Sequence, residues 1–104
     1  MENKKLILVA LGGNVLTKKG ETGEIKEQWR NSNEIFSKIM PLINPNYDLI
    51  ITHGNGPQVG QILLQNDISK DTVPPMPIDV AVALSEGHMG YLFQQSLLNQ
   101  LRAK

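Results

Sequence analysis

The stretch Lys5-Leu-Ile-Leu-Val-Ala-Leu-Gly-Gly-Asn14 decides how the first half of this chain folds. Its first seven residues form an almost continuous apolar run, without alternation of apolar and polar side chains. Runs of this kind are typical of parallel strands that are covered on both faces. Gly12-Gly13-Asn14 then ends the run with turn-forming residues. The stretch therefore predicts a buried parallel strand followed directly by a glycine-rich turn.

The same stretch also imitates a secretory leader, because Lys4 and Lys5 precede the apolar run and small residues follow it. The run from Leu6 to Leu11 is shorter than the roughly 7–15 apolar residues of a signal peptide and the roughly 20 of a membrane span. We therefore favour a strand over a leader or a membrane segment.

A helix and a second strand are predicted downstream of this turn. Apolar residues recur at intervals of four and three, with Ser32 filling one gap, which is typical of an amphipathic helix: Ile25, Trp29, Phe36, Ile39 and Ile43. Pro41 and the turn Asn44-Pro45-Asn46 are expected to blur the end of this helix. Tyr47–Thr52 then forms a second short apolar run, so the order predicts a βαβ unit.

Two further helices are predicted after the second strand. Gly56 is the expected cap of the first, with Pro57 at the first helical position, and the proline-rich stretch from Val73 to Pro77 ends it. The second carries a long apolar stripe: Ile78, Val82, Met89, Phe93, Leu97 and Leu101. Gly87 and Gly90 lie inside it, and we expect them to mark a close approach of another element or a ligand; a helix broken near Gly87 is the alternative.

Length and composition limit the classes of function. A chain of 104 residues holds at most one compact unit, and its 40% hydrophobic content is ordinary for a globular protein. Ten Lys and Arg balance ten Asp and Glu, so no net charge attracts nucleic acid or an anionic membrane. The absence of cysteine excludes disulfides, thiolate metal sites and a cysteine nucleophile, and agrees with a cytoplasmic location.

The functional prediction depends on two glycine-rich turns, Gly12-Gly13-Asn14 and Gly54-Asn55-Gly56, each directly after a predicted strand. Strands of a βαβ unit are parallel, so both turns should emerge at the carboxyl edge of the sheet, where open α/β folds bind ligands. Glycine lets backbone N–H groups approach a ligand, and the helix that follows the second turn adds the positive end of its dipole. The pattern predicts one site for a small anion such as phosphate or carboxylate.

Two known phosphate-binding patterns do not fit these turns. A Walker motif needs a Lys-Ser/Thr pair after its last glycine, and neither turn has one. A dinucleotide fingerprint needs glycines at intervals of two and three, whereas Gly54, Gly56 and Gly60 are spaced two and four apart. Binding of a nicotinamide cofactor is therefore not favoured.

Several polar residues have simpler explanations than a functional role. Asn14 and Asn55 could adopt left-handed backbone in a tight turn. His53 could bond only to neighbouring backbone, and no residue in the sequence pairs obviously with His88. Asp79 is as well placed to cap the last helix as to contact a ligand.

Four motifs together resemble the opening third of a carbamate kinase, within the amino acid kinase family: Val9–Asn14, Thr52–Gly60, Met76–Asp79 and Ser85–Tyr91. The first two are the most specific. The last departs from the family pattern at Glu86, where Gln is more usual.

The resemblance implies a three-layer αβα sandwich of which residues 1–104 are the N-terminal, carbamate- and phosphoryl-binding part, with the nucleotide lobe absent. It implies reversible phosphoryl transfer from ATP to carbamate, giving ADP and carbamoyl phosphate, and ATP formation in arginine fermentation. The implied cofactors are ATP or ADP and Mg²⁺. The implied partner is a small-molecule substrate rather than nucleic acid or membrane, and the full-length protein would be a cytoplasmic homodimer.

By matching position, Gly12, Gly13 and Asn14 would line the site of the transferred phosphoryl group, with Asn14 catalytic. Asn14 is informative because relatives such as acetylglutamate kinase carry lysine there. The resemblance also implies that Gly54, Asn55 and Gly56 offer N–H groups to carbamate or phosphoryl oxygens, and it assigns no metal ligand to this chain.

Cationic groups are scarce around the predicted site. Phosphoryl transfer needs charge neutralisation, usually from Lys or Arg with magnesium, and only Lys18 or Lys19 could reach the first turn. The chain alone is therefore expected to be inactive. The alternatives are an amino acid kinase family member with a different acidic substrate, and a non-catalytic anion-binding module.

Overall fold

The structure, a computed structural model, describes residues 3–103, so Met1, Glu2 and Lys104 lie outside the described residues. Two of these, Met1 and Glu2, belong to the segment compared with a leader. The described residues form these elements in chain order: β1 (Lys5–Leu11), α1 (Ile25–Ile39), β2 (Tyr47–His53), α2 (Gly56–Ser69) and α3 (Ile78–Arg102). Short 3-10 turns follow β1 at Gly13–Val15 and α1 at Met40–Leu42.

The two strands are parallel and in register from Lys5 opposite Tyr47 to Leu11 opposite His53. The ladder extends one step further, because the Gly54 N–H donates to the Leu11 carbonyl at 3.0 Å. Since α1 connects the strands, the predicted βαβ unit is confirmed, and both strands end at one edge of the sheet.

Helices α1 and α3 pack together on one face of this sheet and form the core. The buried apolar side chains that make up the core are Leu11, Leu16, Phe36, Ile39, Met89, Leu92 and Phe93. Ser32 on α1 and Ser96 on α3 are also buried, and their hydroxyls lie 2.7 Å apart. Small side chains at these positions let the two helices approach closely while each hydroxyl keeps a partner.

The other face of the sheet is open within residues 3–103. Leu6, Leu8 and Ile50 point to this side and keep 68%, 60% and 44% of their surfaces exposed. Helix α2 packs against α3 and the first glycine turn instead of covering these side chains. The apolar composition of the strands predicts cover on both faces, but three helices are too few to cover both, and in the described residues none of them covers this face.

The chain is also extended for its size. Its radius of gyration is 16.4 Å, against about 13 Å for a compact domain of 100 residues. Its accessible surface of 7183 Å² exceeds the roughly 5,800 Å² expected for a folded monomer of 11.5 kDa. The chain thus buries less surface than a self-contained domain of this length.

Helix α3 differs from its prediction in two ways. It runs without a break through Gly87, and a Cβ on Gly87 or Gly90 would meet nothing within 4 Å, so neither a broken helix nor a close approach of another element is found among the described residues. Its buried side is also displaced from the predicted stripe, since Ile78 and Leu101 are exposed. The buried residues of α3 are Ala81, Ser85, Met89, Leu92, Phe93 and Ser96.

Helix α2 begins one residue earlier than predicted. Asn55 is its N-cap, Gly56 is its first residue and Pro57 its second, so the expectation of Gly56 as the cap is wrong. Proline is still accommodated, because N–H groups in the first turn have no intrahelical acceptor. No helix among residues 3–103 is both long enough and apolar enough to span a membrane.

Candidate anion site

The two glycine turns touch through their backbones at the carboxyl edge of the sheet. A Cβ on Gly13 would lie 3.0 Å from Pro57 Cδ and 3.2 Å from the Gly56 nitrogen. A Cβ on Gly54 would lie 3.2 Å from the Gly13 nitrogen. These distances are shorter than nearly all real Cβ contacts, so the close contact between the turns favours glycine at both Gly13 and Gly54.

Gln58, on the first turn of α2, ties the two turns together. Its Nε2 donates to the Gly13 carbonyl at 3.0 Å. The side chain is buried, with only 5% of the residue exposed, and its Oε1 has no hydrogen-bond partner among the described residues. Since a buried acceptor without a partner is costly, this oxygen is open to an N–H donor or a water molecule.

The N-terminus of α2 has an unusual cap. Asparagine at the N-cap commonly accepts a backbone N–H of the first turn through its side chain, but the Asn55 side chain makes no such bond. Instead Asn55 Nδ2 donates to the hydroxyl of Ser85 on α3 at 2.9 Å. Its φ of −149° also shows that Asn55 is not in left-handed backbone, so that explanation of the residue is wrong.

The uncapped N-terminus leaves donors for a ligand. The first hydrogen bond of α2 runs from the Val59 N–H to the Asn55 carbonyl at 2.9 Å. The N–H groups of Gly56 and Gln58 precede it, and Pro57 has none. Together with the positive end of the helix dipole, these groups favour an anion beside the glycine turns.

Asn14 lies at the exposed end of the first turn, on the rim of a polar depression of about 620 Å³. Lys18 and Lys19 also line this depression. Lys18 is engaged, because its Nζ donates to the Glu34 carboxylate at 3.0 Å. That hydrogen bond and the lysine charge lower the pKa of Glu34. Lys19 is therefore the better placed of the two lysines to reach a ligand near Asn14.

The loop between the first turn and α1 is held by a second carboxylate. Glu21 accepts the Lys18 backbone N–H at 2.7 Å and the Asn31 Nδ2 at 2.7 Å, and Arg30 pairs with its other oxygen. These contacts lower the pKa of Glu21, with the Lys18 backbone hydrogen bond as the largest cause. The wall of the depression beside Asn14 is thus fixed by charge-assisted hydrogen bonds.

The remaining sequence candidates lie outside the site or serve the fold. His53 Nδ1 lies 3.0 Å from the carbonyl oxygen of Gly54, which confirms the bond to neighbouring backbone, and its ring packs edge-on against Phe93. His88 does have a partner, because its Nε2 lies 2.8 Å from Gln28 Oε1, so the expectation of none is wrong. Asp79 lies in the first turn of α3 without a capping hydrogen bond.

No group of three or more His, Asp or Glu side chains is placed to hold a metal ion within residues 3–103. The described part of the chain also brings no Arg to the rim of the depression, whose lining is Asn14, Thr17, Lys18, Lys19, Gly20 and Glu21. Within the described residues, the candidate site therefore offers backbone N–H donors and the side-chain amides of Asn14 and Gln58. Lys19, and Lys18 if it leaves Glu34, could add a positive charge.

Sequence reasoning missed Ser85 and Gln58. The sequence patterns assign neither residue a role of its own, yet both are buried and bonded to the glycine turns. One signal for Ser85 was present: with Ala81, Met89 and Ser96 it follows helical spacing on one side of α3. Small side chains on that side, opposite Ser32, indicate a close helix contact.

Known proteins share this arrangement. The model of the amino acid kinase family matches residues 5–101. The chain is 43% identical over 102 residues to a carbamate kinase of Pyrococcus furiosus, covering 96% of this chain and 32% of that protein. It is 46% identical over 96 residues to a carbamate kinase of Escherichia coli K12, covering 92% and 32%. The chain thus spans about a third of the length of the curated relatives it matches.

Solved structures give the same result. Carbamate kinase from Giardia lamblia bound to AMP-PNP superposes with a TM-score of 0.91 at 37% identity, covering 99% of this chain and 36% of that one. A protein of Aeropyrum pernix K1 superposes with a TM-score of 0.86 at 30% identity, covering 95% and 32%. The two strands and three helices are therefore part of the αβα amino acid kinase fold, and the chain belongs to the amino acid kinase family.

Proposed function

We propose that this chain forms the substrate-binding part of a carbamate kinase, which transfers a phosphoryl group reversibly between ATP and carbamate. The observation that carries the proposal is the backbone contact between Gly13 and Gly54 beside the uncapped N-terminus of α2. Relatives named carbamate kinase, at 40–46% identity, support this choice within the family.

The proposed ligands, carbamate and carbamoyl phosphate, are small anions. The N–H groups of Asn55 and Gly56 would hold their oxygens, whereas the Gly54 N–H is already bonded to the Leu11 carbonyl. Gly12, Gly13 and Gly54 would line the position of the transferred phosphoryl group. Fixed backbone donors stabilise charge without having to reorganise during the reaction. Asn14 would add a neutral amide donor at the same position, which is why we propose it as the catalytic residue of this chain.

We include the nucleotide and magnesium in the proposal because the chain belongs to the amino acid kinase family. Mg²⁺ would neutralise charge on the phosphates when bound. Within residues 3–103 no group of three or more His, Asp or Glu converges, so the described residues form no metal site made of protein ligands alone. We therefore propose that turnover needs cationic groups and a nucleotide site that these residues do not supply, and that the chain alone binds substrate without turning it over.

The proposal also covers cellular location, oligomeric state and the direction of the reaction. A cytoplasmic homodimer that forms ATP from carbamoyl phosphate during arginine fermentation is inferred from family likeness alone. A different acidic substrate within the same family, or a non-catalytic anion-binding module, are the competing functions.

Two measurements on the chain test the proposal. Calorimetry should show carbamoyl phosphate binding more tightly than acetyl phosphate, which replaces the amino group with a methyl group. A coupled assay with carbamoyl phosphate, ADP and magnesium should show no ATP formation. Equal binding of both acyl phosphates would favour a general anion-binding module, and robust ATP formation would contradict the proposed inactivity.

A further inference from the structure

Ser85 lies where α3 passes the second glycine turn. It is fully buried, with 0% of its surface exposed, although it is a polar residue in the middle of a helix. Its hydroxyl lies 2.6 Å from the Val82 carbonyl and 2.9 Å from Asn55 Nδ2. Ser85 is thus a direct connection between α3 and the N-cap of α2.

The two bonds fix the orientation of the Asn55 amide. A serine hydroxyl has a single proton, and here it is donated to the Val82 carbonyl. Ser85 must therefore accept its second bond, so the NH₂ group of Asn55 faces α3. The Asn55 Oδ1, which would be the capping atom, is turned away from Ser85.

This orientation matters because Asn55 would otherwise be a good cap. A capping asparagine accepts the N–H of the second or third helical residue. The second residue of α2 is Pro57, which has no N–H, so the only such donor is Gln58. That N–H is one of the groups offered to an anion at the glycine turns.

We propose that Ser85 is a positioning residue: by holding the Asn55 amide against α3, it keeps the N-terminus of α2 uncapped and open to the anionic substrate. This inference rests on the proposed function for the identity of the anion. Because Asn55 bonds to Ser85, α2 lacks a side-chain capping bond, and the Gln58 N–H stays free to bind a ligand.

Ser85→Ala should release the Asn55 side chain to cap α2. We expect the affinity for carbamoyl phosphate and inorganic phosphate to fall about threefold to tenfold, the range of one hydrogen bond. We also expect hydrogen exchange of the Gln58 amide to become slower, because it gains an intramolecular acceptor. If Ser85 only stabilised the fold, Ser85→Ala would make exchange of the Gln58 amide faster or leave it unchanged.

Ser96→Ala is the matched control. Ser96 is on the same helix, is equally buried and bonds to Ser32 at 2.7 Å, but it does not contact the glycine turns. Ser96→Ala should lower the free energy of unfolding about as much as Ser85→Ala does, without changing anion affinity or hydrogen exchange of the Gln58 amide. A second control is Asn55→Ala, in which adding Ser85→Ala should change affinity no further, since Ser85 acts through Asn55.

Binding should be followed by NMR titration of the full chain with each anion, and exchange by NMR on the same samples. The proposal is overturned if Ser85→Ala leaves Gln58 exchange unchanged or faster, or if its loss of affinity persists fully in the Asn55→Ala background. If the wild-type chain binds neither anion, the proposed function fails, but the Gln58 exchange comparison still decides the role of Ser85.

Discussion

The two faces of the sheet are built from the same short strands but have different surroundings. Leu11, Leu49 and Ile51 face α1 and α3 and contribute to the core, whereas Leu6 and Leu8 remain mostly exposed on the opposite face. Both sets of side chains are aliphatic, so composition does not distinguish them. The difference is which face has helices packed against it.

This difference shows how the chain relates to its family. A fully apolar strand is the pattern of a sheet with helices on both sides, and the family fold has such layers. Residues 3–103 provide one of them. The site at the carboxyl edge does not depend on the open face, because its glycine turns are held by α2, α3 and the covered side of the sheet.

The largest effect is expected from truncating the covered side. Phe36 is buried against Phe93, so Phe36→Ala should lower the free energy of unfolding by about 3–5 kcal/mol, which could unfold the chain outright. Leu8→Ala, on the open face, should cost about 1 kcal/mol or less. Urea denaturation followed by circular dichroism measures both. Similar losses for the two variants would mean that the open face is covered in solution.

A smaller effect is expected at the contact between the turns. In Gly13→Ala the new methyl group would press on Pro57 and the backbone of Gly56, and such overpacking costs about 1–3 kcal/mol. Gly12→Ala is the matched variant, because its Cβ would meet only the Asn14 nitrogen, at 4.0 Å, and its backbone angles suit alanine. Equal unfolding free energies would show that the turns are not in contact.

Substitutions on the open face should change self-association of the chain more than its free energy of unfolding. Leu8→Lys places a charge on this face and should leave the free energy of unfolding within about 0.5 kcal/mol of wild type. It should also reduce concentration-dependent self-association, since exposed apolar strands favour aggregation. Sedimentation velocity over a range of concentrations tests this. Association that is unaffected by the added charge would place the contact on another surface.

The smallest effect is a dependence on pH from the loop beside Asn14. Contacts in the folded chain lower the pKa values of Glu21 and Glu34 below their ordinary value of 4.5. A lowered carboxyl pKa stabilises the folded state above the unfolded-state pKa, and this contribution is lost as the pH falls through the folded-state value. Unfolding should therefore become easier below about pH 4.5, and Glu21→Gln should weaken that dependence when urea curves are compared. An unchanged pH dependence in this variant would argue against the Glu21 contacts.

The sequence was sufficient for features that depend on local pattern. Apolar runs that end near glycine predicted β1 and β2. The strand–helix–strand order predicted parallel strands, and therefore both glycine turns at the carboxyl edge of the sheet. Features that depend on packing were missed. Ser85 and Gln58 are polar and became recognisable only when the second glycine turn was placed against Ser85 and the first against Gln58. Three helices are too few to cover both faces of the sheet, but strand composition does not tell which face stays open, because both faces are aliphatic.

A ¹⁵N NMR titration of the chain with carbamoyl phosphate tests directly whether the two glycine turns form one anion site. We expect the largest shifts at the amides of Gly13, Gly54, Gly56 and Gln58, with little change at Leu6 and Leu8 on the open face. Shifts that centre on the open face, or no shift at the turns at saturating ligand, would contradict a single anion site at the turns.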